Sequence, residues 1–215
     1  MPIATLFPQP GDGRLDAEPA ILAAHLARRR YGRFTLTEAI RPGWPLALVP
    51  RAGYRHDGFV DPRGHRLPAL VAAVTSEALF DTFLDLIEPI GEVCDVILET
   101  AHDRSPGDHV DLVRHGIERT VLESVLWDFD DILLDDGCTG IAVMHPERPI
   151  EVQFDAHKLL VVYADDITPF EDVLRARGVP ADESIRFLFQ EDHVHTSHTG
   201  FARRFEALAD RLAAE

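Results

Sequence analysis

Hydrophobic and polar residues alternate without a break over residues 150–155. A period of two places the apolar side chains on one face of a β-strand and the polar ones on the other. Residues 159–163 are apolar throughout and rich in β-branched side chains, which is typical of a strand buried on both faces. A shorter apolar run lies at 140–144. Together the three runs predict a three-strand meander over residues 140–163.

The chain before the meander reads as strand, helix, strand. Residues 69–74 and 93–98 are apolar runs, and between them Leu79, Phe83 and Ile87 recur at helical spacing. Such a unit joins two parallel strands through a right-handed crossover. Further along, the apolar spacing between residues 108 and 132 predicts a long helix.

After the meander, a helix begins near Thr168, a last strand covers 185–189 and a helix closes the chain from Phe201. Strands joined through helices run parallel, so only 150–155 is expected to run against the others. The pattern predicts an α/β fold with a mixed, mostly parallel sheet of about six strands and helices on its faces. An α+β arrangement is the alternative.

Residues 1–215 predict a single domain, since the chain is long enough to bury one substantial core. Residues 1–68 are expected to form an N-terminal helix followed by a Pro/Gly-rich segment that covers the 69–215 core, or acts as a small lobe or lid. The two cysteines make no disulfide framework and the N-terminus lacks the pattern of a signal peptide, which favours the cytoplasm. One lysine against 20 arginines is typical of a GC-rich bacterial genome.

Charge is distributed unevenly along the chain. Residues 1–68 carry a net charge of +4, whereas residues 69–215 carry −20. A body this acidic repels nucleic acid and anionic membranes and suits a basic protein partner. The strongest local cluster could form such a partner-binding surface, although a solvated helix end is the simpler interpretation; it contains Asp128, Asp130, Asp131, Asp135 and Asp136.

Three histidines occur within six residues at His193, His195 and His198. Imidazole nitrogens bind zinc and other transition metals. The spacing resembles the His-x-His-x-Asp-His metal motif of metallo-β-lactamase-fold hydrolases over about eight residues, but Ser197 stands where that motif has its aspartate. The resemblance implies that the three histidines are metal ligands, but it does not extend to the fold of that family. His102 and Asp103 could complete such a site, whereas His157 reads as a surface or packing residue.

No nucleotide-binding loop, nucleophile elbow, HExxH or CxxC pattern occurs in the chain. The sequence therefore favours a non-catalytic, acidic protein-binding module with an accessory, regulatory or inhibitor-like role. The alternative is a metal-dependent hydrolase that uses the histidines at 193–198, with a divalent metal such as zinc. The sequence leaves the oligomeric state open.

Overall fold

The computed structural model describes residues 19–60, 64, 66–102 and 108–214. Residues 1–18 and Asp103, which was predicted as a metal ligand, lie outside these residues. The described helices are α1 (Pro19–Leu26), α2 (Ser76–Ile87), α3 (Arg119–Trp127), α4 (Asp130–Asp135), α5 (Thr168–Ala176) and α6 (Phe201–Leu212). The described strands are β1 (Arg30–Tyr31), β2 (Phe34–Thr35), β3 (Ile40–Pro42), β4 (Gly53–Val60), β5 (Arg66–Ala73), β6 (Val93–Thr100), β7 (Val110–Glu118), β8 (Thr139–Met144), β9 (Glu151–Phe154), β10 (Leu160–Tyr163) and β11 (His193–His195).

Seven strands form the main sheet in the order β4-β5-β10-β9-β8-β6-β7. Every neighbouring pair in this sheet is antiparallel. The fold is therefore α+β, and the prediction of a mostly parallel sheet is wrong.

The error has a definite cause at residues 110–118, which were expected to be helical. They form β7, which pairs with β6 as a hairpin, with Val113 opposite Ile97. The hairpin brings the chain back to the end of the sheet where β6 begins. Helices α3 and α4 then lead the chain to the opposite end, so β8 runs antiparallel to β6. Val110, Val113 and Ile117 fit a helical spacing, whereas Val110 and Leu112 fit a period of two, so periodicity alone did not separate the two structures.

The predicted meander is present. β9 lies between β8 and β10, and Val152 faces Val143 on one side and Val162 on the other. β10 also pairs with β5, and all four of its residues are buried. The sheet extends one strand further, because β4 lies within the segment that was expected only to cover the core.

One face of the sheet is apolar and covered by helices. Side chains from β5, β6, β8, β9 and β10 pack there against α2 to α6 in a single hydrophobic core. Phe83 of α2 is fully buried, and its ring lies edge-on to Phe154 of β9 at 5.4 Å between centroids. Residues spaced by three and four along each helix supply this layer, as their amphipathic pattern requires.

The opposite face is divided. Over β5 and β10, a second core is formed by the N-terminal β1–β3 region and residues 185–189. Over β9 and β6, the same face carries the polar residues Glu151, Gln153 and Glu99. The polar half of the face follows directly from the alternation that defines β9.

The predicted strand at 185–189 is wrong. Leu188–Gln190 forms a short 3-10 turn, and the strand comes later as β11, which pairs with β3. The predicted terminal helix is confirmed as α6. Among the described residues, no helix is long and apolar enough to cross a membrane.

Candidate metal centre

Four strands of the meander region meet at one end of the sheet. Thr100, the last residue of β6, lies opposite Thr139, the first residue of β8. In the neighbouring hairpin, Phe154 lies opposite Leu160. Residues 101–102 after β6, the β9–β10 turn and the segment that precedes β8 therefore lie at the same end. β11 reaches this end too, because the Gly137 N–H donates to the Thr196 carbonyl at 2.8 Å.

Three histidine rings form a nearly equilateral triangle at this end. The ring centroids of His157 and His193 are 5.0 Å apart, those of His157 and His195 are 4.9 Å apart, and those of His193 and His195 are 5.0 Å apart. One nitrogen from each ring lies within 4.8 Å of the other two. His157 comes from the β9–β10 turn, and the other two come from β11.

The triangle has the dimensions of a tetrahedral zinc site. Zinc binds imidazole nitrogen at about 2.0–2.1 Å, which puts each ring centroid about 3.2 Å from the metal. At the tetrahedral angle, three such rings would have centroids about 5.2 Å apart. The distances between these histidines are within a few tenths of an ångström of that value. The spacing of the three rings therefore fits a zinc-sized ion.

Hydrogen bonds orient each ring of the triangle. Nδ1 of His193 donates to the Glu191 carbonyl at 2.8 Å, and Nδ1 of His195 donates to the Gly137 carbonyl at 2.7 Å. Nδ1 of His157 lies 3.0 Å from a carboxylate oxygen of Asp155. A proton on Nδ1 leaves the lone pair on Nε2, and this arrangement is usual for histidines that bind metals.

The electrostatic environment keeps two of the rings neutral. Burial, with a further contribution from the neighbouring His157 ring, lowers the pKa values of His193 and His195 to about 4. Metal binding needs neutral imidazole, so no proton competes for these nitrogens near neutral pH.

The β9–β10 turn that carries His157 is itself tightly fixed. The Leu159 N–H donates to a carboxylate oxygen of Asp155 at 2.8 Å, and Lys158 has a positive φ of 61°. Burial would raise the pKa of Asp155, but the His157 ring, the Leu159 N–H and the Lys158 charge outweigh it and hold the pKa below its usual value. Asp155 is therefore a carboxylate that can orient and polarise His157.

Lys158 is the sole lysine of the chain and is buried, with its ammonium donating to the Thr139 carbonyl at 2.9 Å. Burial lowers its pKa to about 8, although the nearby charges of Asp136 and Asp155 act in the opposite direction. The ammonium therefore lies near two carboxylates, beside the histidine triangle.

A second group of potential ligands lies next to the first. Nε2 of His102 is 2.8 Å from Oδ2 of Asp136, and one ligand atom each from His102, Asp136 and Cys138 lie within 4.8 Å of one another. Asp136 is fully buried and also accepts hydrogen bonds from Thr139 Oγ1 at 2.5 Å and from the Cys138 N–H at 3.2 Å.

Gly137 connects the two groups, since it lies between Asp136 and Cys138 and its carbonyl orients His195. A Cβ atom on Gly137 would lie 2.6 Å from the Ala39 carbonyl oxygen and 2.8 Å from that of Thr196. No side chain larger than hydrogen fits between these backbone atoms, so glycine is required here for close packing.

A small cavity of about 30 Å³ reaches His157 and Lys158. Its wall is mostly apolar and includes Leu36, Ile40 and Phe187. The volume has room for about two water-sized groups.

The structure brings together only part of the predicted metal set. His193 and His195 are in the histidine triangle, but among the described residues His198 joins neither group, and its ring lies 5.3 Å from that of Phe201. His102 belongs to the second group.

The acidic residues proposed as a partner surface lie in different environments. Asp136 is buried inside the protein. Asp131 forms an ion pair with Arg204 at 2.5 Å, and Asp135 accepts the Glu38 N–H at 2.7 Å. Asp128 is exposed and Asp130 is partly buried.

Sequence reasoning missed His157 as a ligand. It lies 36 residues before His193, in a turn where a polar residue is ordinary. The one local signal is Asp155, two residues earlier, which supplies the carboxylate partner of the ring.

Comparisons of the chain with protein-family models, with curated proteins and with solved structures find no match.

Proposed function

We propose that the protein is a metal-dependent hydrolase whose metal ligands are His157, His193 and His195. The observation that carries the proposal is the triangle of rings with centroids 4.9–5.0 Å apart. The ligand set differs from the one predicted from the sequence, because His157 takes the place given to His198.

The chemistry of the ligands favours hydrolysis. Three neutral nitrogens leave the charge of a dication undiminished and leave one tetrahedral position for water, whose pKa the metal lowers to about 7. Asp155 orients His157, and the cavity beside His157 offers space where a small apolar part of a substrate can lie. Zinc is the metal that best fits an all-nitrogen tetrahedral set.

The competing hypothesis is the non-catalytic protein-binding module that composition favours, with a basic protein as its partner. Under that hypothesis the three rings are packing residues and hold no ion. The two hypotheses therefore differ in a quantity that can be measured directly.

The test is to purify the full chain without a histidine tag and to count bound metal by elemental analysis. We expect the wild-type protein to bind zinc at His157, His193 and His195, and the His193→Ala/His195→Ala variant to lose one equivalent. Zinc should raise the melting temperature of the wild type more than that of the double variant, because a ligand of the folded state stabilises it by about 2.7 kcal/mol at 100 times its Kd. Chelator-sensitive hydrolysis of an activated ester, restored by zinc, tests the catalytic part.

His198→Ala is the matched control, since it removes a histidine from the same segment but outside the triangle. It should keep the full metal content of the wild type. Equal metal content in the wild type and the double variant would refute the proposed site. A site-bound metal without chelator-sensitive hydrolysis would refute the hydrolase and leave a metal-binding protein.

A further inference from the structure

We propose that His102, Asp136 and Cys138 form a second zinc site, separate from the histidine triangle. This inference does not depend on a metal at His157, His193 and His195. It concerns a different chemical class of site, because its ligands are one nitrogen, one oxygen and one sulfur.

The geometry of the group fits a shared ion. With zinc–sulfur distances of about 2.3 Å and zinc–nitrogen distances of about 2.0 Å, tetrahedral ligand atoms lie about 3.3–3.6 Å apart. The three ligand atoms here lie within 4.8 Å of one another, and His102 Nε2 is already 2.8 Å from Asp136 Oδ2. A small outward turn of the imidazole is enough to admit the ion between them.

The charges of the group also match a dication. Asp136 and a Cys138 thiolate together supply two negative charges, which zinc neutralises. The buried ammonium of Lys158 lies close by and donates to the Thr139 carbonyl at 2.9 Å, so the two anionic ligands must outweigh its repulsion of the ion.

The backbone fixes two of the ligands in place. Asp136 and Cys138 flank Gly137, whose N–H and carbonyl are bound to Thr196 and His195. The Cys138 N–H donates to Asp136 Oδ1 at 3.2 Å, which fixes the carboxylate, and the Cys138 sulfur lies within 4.8 Å of the other two ligand atoms. Preorganised ligands of this kind reduce the ordering that metal binding requires.

Proton balance accompanies binding. The Cys138 S–H bond breaks as the sulfur–zinc bond forms, and one proton is released to solvent. His102 moves its ring proton from Nε2 to Nδ1 as Nε2 takes the metal, so the imidazole contributes no net proton. Asp136 exchanges a hydrogen bond from His102 for a bond to the ion.

The experiment uses the full chain carrying His193→Ala/His195→Ala, which removes the first site. After treatment with a chelator, the protein is loaded with Co²⁺ and followed by near-ultraviolet absorption, and with Zn²⁺ and followed by elemental analysis. We expect one equivalent of metal and a thiolate-to-cobalt charge-transfer band. Adding Cys138→Ser should abolish the band and lower zinc affinity at least tenfold. Cys94→Ser changes the other cysteine, which is buried in β6, and should keep the band.

The outcomes separate this inference from the proposed function. The second site is refuted if the charge-transfer band is absent, or if it persists after Cys138→Ser. This holds whether or not His193→Ala/His195→Ala lowers the metal content of the protein. If the band depends on Cys138 and the wild type and His193→Ala/His195→Ala bind equal amounts of metal, the second site is supported and the histidine triangle is refuted as a metal site. Circular dichroism of each metal-free variant checks that it is folded, and His102→Asn supplies an independent ligand change if Cys138→Ser is unstable.

Discussion

The two faces of the seven-stranded sheet differ in what their residues do. The helix-covered face is apolar from β5 to β6 and is closed by five helices. The other face forms a hydrophobic core over β5 and β10, and carries Glu99 on β6 and Glu151 and Gln153 on β9. The first face gains its free energy from burial of apolar surface, whereas the second retains polar groups that burial penalises.

The contrast shows where this fold can hold chemistry. Polar groups that are costly to bury persist where other groups compensate for them, and they gather at functional sites more often than elsewhere. Here they lie along the strands that lead to the histidine triangle. Three substitutions test the contrast, from the largest expected effect to the smallest.

Phe83→Ala tests the helix-covered face. Phe83 is fully buried against Phe154, so its removal leaves a cavity and should lower the free energy of unfolding by about 3–5 kcal/mol. Urea unfolding gives the value, and zinc content should be unchanged in the fraction that is folded. Val121→Ala, at an exposed position of α3, should change stability by less than about 0.5 kcal/mol. A loss below 1 kcal/mol for Phe83→Ala would mean that this face is not the main source of stability.

Lys158→Met tests the polar end of the sheet. The substitution keeps most of the length of the side chain but removes the buried positive charge near Asp136 and Asp155. Removing one partner from a buried charged group costs about 3 kcal/mol. We expect the free energy of unfolding of the chelator-treated, metal-free protein to fall by that amount. Arg175→Ala is the control, because its ion pairs with Asp172 and Glu171 lie at the surface and should contribute less than about 1 kcal/mol. Equal effects of the two variants would contradict a special role for the buried ammonium.

Glu99→Gln tests the polar half of the second face through pH. Burial, followed by the charge of Asp111, raises the pKa of Glu99 from 4.5 to about 7. A raised pKa means that the folded state binds the proton more tightly, so stability is full at low pH and falls as pH rises from about 4.5 through 7. At pH 8 the variant should be more stable than the wild type by about 2 kcal/mol, and near pH 4.5 the two should be similar. Urea unfolding across this range measures the difference, and parallel pH profiles for both proteins would count against the assignment.

Several elements followed from local pattern. The meander came from strict alternation in β9 and from the uninterrupted apolar run in β10, both of which are properties of a few consecutive residues. Helices α2, α5 and α6 were equally local, since apolar residues at spacings of three and four mark one face of a helix. The segment 110–118 failed because its apolar residues satisfy both periods, and pairing with β6 decided between them.

The metal site divides in the same way. His193 and His195 could be identified from the sequence because both belong to a compact cluster. His157 could not be identified in this way, because it joins the histidine triangle only when β11 lies across the end of the β9–β10 hairpin. His102 was expected to join them, but it faces Asp136 on the other side of Gly137.

The sequence by itself determined which segments are apolar on one face, which are apolar on both, and where three histidines crowd together. The tertiary structure alone decided the direction of the strands, the identity of the third ring and the separation of two ligand groups. The physical reason is that side-chain periodicity encodes contacts between an element and its immediate surroundings. Contacts between residues far apart in the chain, such as His157 and His193, arise only when the whole sheet packs.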